Sequence, residues 1–369
     1  MLSTESTHAQ GRPRAFTLME LMIVIIIIAV VISILIPAVA GARNAARRAS
    51  TARLMKDVAD ASGQFYTDQG RLPGHFSARE MAHADNMDQG FMEMHNIVAD
   101  LAGGITGAGN LPAPTPNSVL VGPMSSTAGQ VWFDHDRVGL PSGGKAYLTP
   151  DAKHFIAQTD TGQQAAANLE NARLKSLVDE WGNPILAWRQ DERAIQPVAV
   201  LADFAAETVG AGAPARFYWA TNAGFLKATS LGKRGYNQTD PQRGSILSDA
   251  FNPAPMRIQS MAGILGSPSA GTDPTGSGGT PTLPAAGRAK LIIHSAGTDG
   301  VFVGVRDPGM KQFAATRPSG SPFYPDFIDY AVNFVTKPSG GERWTDNDGK
   351  PTSRDVMSRF DDQLLGAGN

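Results

Sequence analysis

No cysteine occurs in these 369 residues, so neither a disulfide framework nor a thiolate metal site is available. Stability must come from packing, with a bound ion as the remaining kind of cross-link. Charge of one sign is lacking too. The 32 Lys and Arg stand against 34 Asp and Glu, a formal net charge of -2, and so near-neutral a chain makes no global case for nucleic-acid binding. Catalytic patterns are also missing: His294-Ser295 does not sit in a Gly-x-Ser-x-Gly elbow, no His-Glu-x-x-His or Walker-type glycine loop occurs, and the seven histidines are scattered. The sequence therefore reads as a non-enzyme. Long apolar runs are scarce as well, with one exception.

From Leu21 to Ala40 the only polar side chain is Ser33, and at about 1.5 Å per residue this run spans a hydrocarbon core of roughly 30 Å. It reads as a transmembrane helix. A secretory signal would have a shorter apolar region, about 7–15 residues, with small residues at its end. Here the polar, Arg-bearing leader ends before the apolar run begins, so a cut near Ala15 leaves the helix on the mature chain. Glu20 is what a plain anchor does not explain, because a carboxylate at the bilayer centre costs about 2.5–3.5 kcal/mol and calls for a partner. A cut before Phe16 would supply one, an α-amino group that is positive at neutral pH. The pair would form within one helix, where Phe16 and Glu20 are a turn apart, or between neighbouring subunits.

Phe16-Thr-Leu-Met-Glu20-Leu, followed by an aliphatic run containing Pro37, resembles the type IV pilin superfamily. The resemblance implies a prepilin peptidase that cuts between Ala15 and Phe16 and methylates the new amine, Glu20 as the assembly carboxylate, and Pro37 as a helix kink. Ala15 departs from the glycine favoured before the cut. Arg12 and Arg14 precede the helix while Arg43, Arg47, Arg48 and Arg53 follow it, so charge does not orient it. A cytoplasmic N-terminus follows from the resemblance alone.

The chain divides by composition into a leader (1–15), a transmembrane and assembly helix (16–42), its amphipathic continuation (43–73), an inserted helical and loop region (74–178) and a β-rich region (179–369) with a Gly/Pro/Ser-rich loop at 263–287. Leu54, Val58, Ala61 and Phe65 mark one helical face, and Gly70 with Pro73 supplies the stop. Residues 77–102 and 163–178 favour helix, and 103–117 reads as loop. Met81, Met87, Met92 and Met94 with His83 and His95 offer soft ligands, yet the spacing repeats no ligand motif, and core gap-filling explains the methionines equally well. Strand candidates are Ile185 to Trp188, Gln196 to Phe204, Arg216 to Ala220, Lys290 to Ser295 and Val301 to Val305.

Trp181-Gly-Asn-Pro184 followed by Ser295-Ala-Gly-Thr-Asp-Gly300 resembles the type II secretion major pseudopilins, enlarged here by insertions. In that branch the loop binds calcium. The resemblance implies Asp299 as a ligand, with backbone carbonyls near Ile293 and Ser295, since a hard cation takes six to eight oxygens. Asp326 with Asp329, or Asp361 with Asp362, supplies further carboxylates, and the first pair is favoured for its place before the strand-like Tyr330 to Val335. The acidic loop Trp344 to Pro351 breaks the EF-hand pattern at its first ligand and reads as a solvated turn.

The expectation is an α+β, pilin-like fold, a long N-terminal helix packed on an antiparallel sheet. The resemblance implies a structural subunit of a type II secretion pseudopilus. It would sit single-pass in the inner membrane with a periplasmic globular region, engage the secretion platform, and assemble with itself and other pseudopilins. A type IV pilus subunit or an adhesive or ligand-binding minor pilin is the alternative.

Overall fold

A computed structural model describes residues 17–88, 90–122, 129–139, 145–157, 174–194, 198, 200–210, 212, 214–226, 245–248, 254–266, 284, 286–304, 307, 357 and 360–368. Two compact units divide the chain, Met1–Arg47 and Arg48–Asn369. Helix α1, Leu18–Gln69, runs for 52 residues and contributes to both. Its residues 18–49 are all exposed, and among the described residues it is the one helix long and apolar enough to cross a membrane. Ser33 satisfies its hydroxyl within the helix by donating to the Val30 carbonyl at 2.7 Å. Pro37 removes a backbone donor without interrupting the helix. The predicted stop is observed: Gly70 adopts φ +71° and its N–H donates to the Tyr66 carbonyl at 2.8 Å.

In the second unit the short helix α2 (Ala78–Met81) begins at a capping box in which Ser77 and Glu80 satisfy each other's backbone N–H groups. Helix α3 (Glu93–Ala102) follows. Strands β1 (Ile105–Ala108), β2 (Val119–Val121) and β3 (Val131–Phe133) form an antiparallel sheet in the order β1-β3-β2, and β4 (Phe155–Ala157) pairs with β5 (Lys175–Leu177). After β6 (Leu186–Arg189) come α4 (Leu201–Phe204), the short parallel pair β7 (Ala205–Ala206) and β8 (Phe217–Tyr218), α5 (Ala223–Leu226) and α6 (Ala254–Leu265). Strand β9 (Leu291–Ser295) lies between β6 and the C-terminal β10 (Gln363–Ala367), antiparallel to both. A long apolar N-terminal helix followed by antiparallel sheets and small helices is an α+β, pilin-like arrangement.

Alternation along the central sheet builds a core on each face. Ala187, Leu291 and Ile293 pack with Leu54, Met55, Val58, Ala61 and Phe65 of α1 and with Met94, Ile97, Val98 and Leu101 of α3. Leu186, Trp188 and Ile292 turn the other way, into a cluster with Phe204, Phe217, Trp219, Met261 and Phe302. Each fully buried side chain of this size contributes about 1.5–3 kcal/mol, so the strand is clamped from both sides.

Several local expectations change. Leu201–Phe204 is helix rather than strand, with Val200 N–H held by Asp203 Oδ2 at 2.9 Å, and Arg216 to Ala220 shortens to β8 before a 3-10 turn. Val301 to Gly304 forms a turn whose partner is an isolated bridge from Gly304 to Ser245. The loop expected at 103–117 contains β1, and Lys175–Leu177 is strand. Met81, Met92 and Met94 fall in three different apolar clusters, so these three methionines do not meet at one ion.

Candidate functional site

Thr17-Leu-Met-Glu20 opens α1 as a reciprocal capping box. Glu20 N–H donates to Thr17 Oγ1 at 3.2 Å, while the Thr17 N–H and hydroxyl donate to Glu20 Oε2 at 2.9 and 3.0 Å. Sequence reading assigned this carboxylate to assembly and missed the local duty, although Thr-x-x-Glu before an apolar run is itself the signature. Both residues are exposed, so the carboxylate is held in place while staying open to a second partner. Ala15 and Phe16 lie outside the described residues. Pro37 sits within the exposed stretch of α1, in the apolar run from Leu21 to Ala40.

In the body, β9 ends in a loop that gathers acids from distant sequence. Carboxylate oxygens of Asp299, Asp307 and Asp361 lie within 4.8 Å of one another. Asp361 Oδ2 accepts from Thr298 N–H at 2.7 Å and Asp299 N–H at 3.1 Å, and from the Thr298 hydroxyl. Its Oδ1 is buried with no hydrogen-bond partner. Asp299 is exposed at its edge, and partial loss of water, then repulsion from Asp361 and Asp362, pushes its carboxyl up to about 6, while burial followed by repulsion from Asp299 pushes the buried Asp307 up to about 8. Such a trio wants either protons or a hard cation, and an all-carboxylate donor set with an orphaned oxygen fits an oxygen-seeking divalent ion.

Asp362 is committed elsewhere. Its Oδ2 lies 2.7 Å from His294 Nε2, and both of its oxygens accept from the Val303 N–H at 3.0 and 3.1 Å. Trp188 Nε1 donates to His294 Nδ1 at 3.4 Å, which leaves the ring proton on Nε2, pointed at Asp362. Burial pulls the imidazole down to about 3, so it is neutral. Val303 has φ +48°, a strained geometry for a β-branched residue, held between Asp362 and the Ile246 N–H that donates to its carbonyl.

The predicted ligands are thus divided. Asp299 and Asp361 are in the cluster, and Asp326 and Asp329 lie outside the described residues, as does the loop from Trp344 to Pro351. Asp307 was not foreseen, since nothing in Arg306-Asp-Pro marks a ligand. Ile293 pairs with Leu365 and Ala187 in mid-strand, and the Ser295 hydroxyl donates to Asp179 Oδ2 at 2.8 Å.

Residues 11–36 match the model of the prokaryotic N-terminal methylation motif. This is a type IV pilin-like prepilin signal. No curated protein and no solved structure matches the chain. The signal is that of a prepilin-processed, pilin-like protein, a structural subunit.

Several polar groups of the described body are tied to one another or to the backbone. His95 Nδ1 accepts the Met92 N–H at 3.1 Å, so its Nε2 proton points at Ser176 Oγ, 3.3 Å away, the reverse of what activates a nucleophile. Burial holds His95 down to about 3 and His135 to about 4. Beneath a cleft of about 830 Å³, Arg189 is buried against Glu93 at 2.8 Å and donates to the Pro73 carbonyl at 3.1 Å. Asp191 at its wall accepts from Tyr218 Oη at 3.1 Å and from Arg193 N–H at 2.9 Å.

Proposed function

We propose that this chain is a shaft subunit of a type II secretion pseudopilus, anchored single-pass in the inner membrane with its body in the periplasm. The observation that carries the reading is the methylation motif at the head of a helix whose membrane-length apolar stretch is exposed throughout, in a chain with an α+β body. Prepilin peptidase cuts between Ala15 and Phe16 and methylates the new amine. The secretion platform then moves the subunit from the membrane into a filament of like helices. The apolar run exchanges lipid for neighbouring subunits at little cost, because both are greasy. Glu20, already tied to Thr17, meets the new amino group of its own or an adjacent chain, which sets the axial stagger.

Calcium belongs to the same reading, resting on the resemblance and on the carboxylate trio. Asp299, Asp307 and Asp361 would hold it, and the ion would supply the positive charge that their mutual repulsion lacks. A minor-pilin role in ligand recognition is the second reading, favoured by the cleft edged by Arg79 and Arg193. The deciding measurement is the mass of the mature N-terminal peptide together with filament yield. A methylated Phe16 and Glu20-dependent filaments are expected. An intact leader overturns the assignment, and incorporation only at filament tips moves the chain to the minor class.

A further inference from the structure

The first point at which α1 ceases to be exposed is Ser50, followed by the fully buried Thr51. Both are gripped by one residue outside the helix: the Ser50 hydroxyl donates to Glu180 Oε1 at 2.6 Å, and the Glu180 N–H donates to Thr51 Oγ1 at 3.2 Å. Glu180 belongs to a tight turn. Asp179 Oδ1 accepts from the Trp181 and Asn183 N–H groups, each at 2.9 Å, and Gly182 at φ +80° closes it. The same turn holds the acidic loop. Asn183 Nδ2 donates to the Gly297 carbonyl at 3.1 Å, and the Ser295 hydroxyl donates to Asp179 Oδ2. Gly300 at φ +75° lies so close that an added Cβ would come within 2.7 Å of Asn183 Oδ1.

We infer that the Asp179–Asn183 turn is a coupling joint that ties the acidic loop to the root of α1, with Glu180 as the positioning residue. The path is short and polar, and it is buried up to its last link: Asp179, Asn183 and Ser295 are each at most 5 % exposed, and the Glu180 bonds to Ser50 and Thr51 are half-buried. Buried hydrogen bonds of this kind are costly to break singly, so displacement of the loop is carried to the helix rather than absorbed. Loop order therefore sets how firmly α1 is held where its exposed stretch begins. In the cation-dependent part this rests on the calcium reading above, and the joint itself does not.

Hydrogen exchange on the full chain in detergent tests it, following peptides that cover 48–56 and 297–304. Gly300→Ala strains the loop against Asn183, and Thr298→Val, an exposed change that removes a hydroxyl donor to Asp361, is the milder second perturbation. In either variant exchange at 48–56 should quicken by about tenfold, the scale of one lost charge-assisted hydrogen bond. Glu180→Ala should quicken 48–56 while leaving 297–304 unchanged, and adding Gly300→Ala to it should give no further change at 48–56. Unchanged exchange at 48–56 in a loop variant whose 297–304 exchanges faster overturns the joint. Calcium, with binding followed by calorimetry, should slow both peptides in the unaltered chain and only 297–304 in Glu180→Ala. Absence of calcium binding with the mutational transmission intact would refute the cation reading and leave the joint standing.

Discussion

Residues 18–49 and 50–69 of α1 belong to one continuous helix, yet they are written for different surroundings. In the first stretch every residue is exposed, whichever way it points, and from Leu21 to Ala40 the side chains are apolar on all sides except for Ser33. In the second, Thr51, Leu54, Met55, Val58, Ala61, Ser62 and Phe65 are buried along one face, while Lys56 and Asp60 pair at 2.7 Å on the other. On the proposed reading the first half finds its partner outside the chain, in lipid and then in other subunits; the second has its partner built in. Replacing Glu20 with Ala should sharpen the contrast most, because it removes the single carboxylate of the first half. Membrane insertion should persist, eased by up to about 2.5–3.5 kcal/mol, whereas filament yield should collapse. Unchanged yield would sink the assembly role.

Next in size is a paired truncation. Phe65 packs edge-on to Tyr147 at 5.2 Å and lies beneath the Arg71 guanidinium, so Phe65→Ala should destabilise the body by about 3–5 kcal/mol. Ile28→Ala, an equally apolar deletion in the first half, should leave the denaturant midpoint of the body where it was. Equal shifts for the two would mean that the halves do not differ as described.

The legible part of this molecule is the part governed by local rules. Twenty apolar residues announce a membrane-length helix, Leu54 to Phe65 announce its buried face, and Gly70 ends it, all without knowledge of the rest of the chain. Trp181-Gly-Asn-Pro and Leu291 to Ser295 were readable as a turn and a strand for the same reason. The acidic cluster was only half readable. Asp299 sits in a turn motif and Asp307 lies eight residues on without a ligand pattern of its own, but Asp361 reaches them by tertiary folding, and proximity between residues more than fifty positions apart leaves no periodic trace. Leu201–Phe204 differs from the expected strand because the apolar run Val198 to Ala202 suits helix and strand alike, and Asp203, which accepts the Val200 N–H, caps a helical turn there.

A smaller effect separates the halves by pH. Asp299 and Asp307 have carboxyls raised to about 6 and about 8, so between the ordinary carboxylate range and pH 8 the folded chain binds more protons than the unfolded one. The contribution of this acidic pair to cation-free stability should therefore fall as pH rises from about 4 to 8, while the buried neutral His95, His135 and His294 contribute the opposite slope up to about 6.5, so a net fall is expected only above that pH. Asp307→Asn should flatten that slope and change stability at pH 8 by roughly 0.5–3 kcal/mol. Calcium should raise the melting temperature of the unaltered chain, and less that of Asp307→Asn or Asp299→Ala. Thermal scans with calcium or chelator decide it. Equal responses in all three proteins would remove the site. Ile28→Ala should follow the unaltered chain throughout.

The smallest effect tests whether Glu20 has one duty or two. Thr17→Ala deletes the hydroxyl that accepts the Glu20 N–H and donates to its carboxylate, a loss of about 1 kcal/mol at a helix N-terminus, while Thr17→Ser retains it. Exchange at residues 18–21 should quicken in Thr17→Ala alone, and filaments should still form, because the carboxylate that meets the partner amine remains. If Thr17→Ala abolishes filaments as fully as Glu20→Ala, then the cap is what presents the carboxylate, and the first half of α1 depends on its own local order before any neighbour arrives.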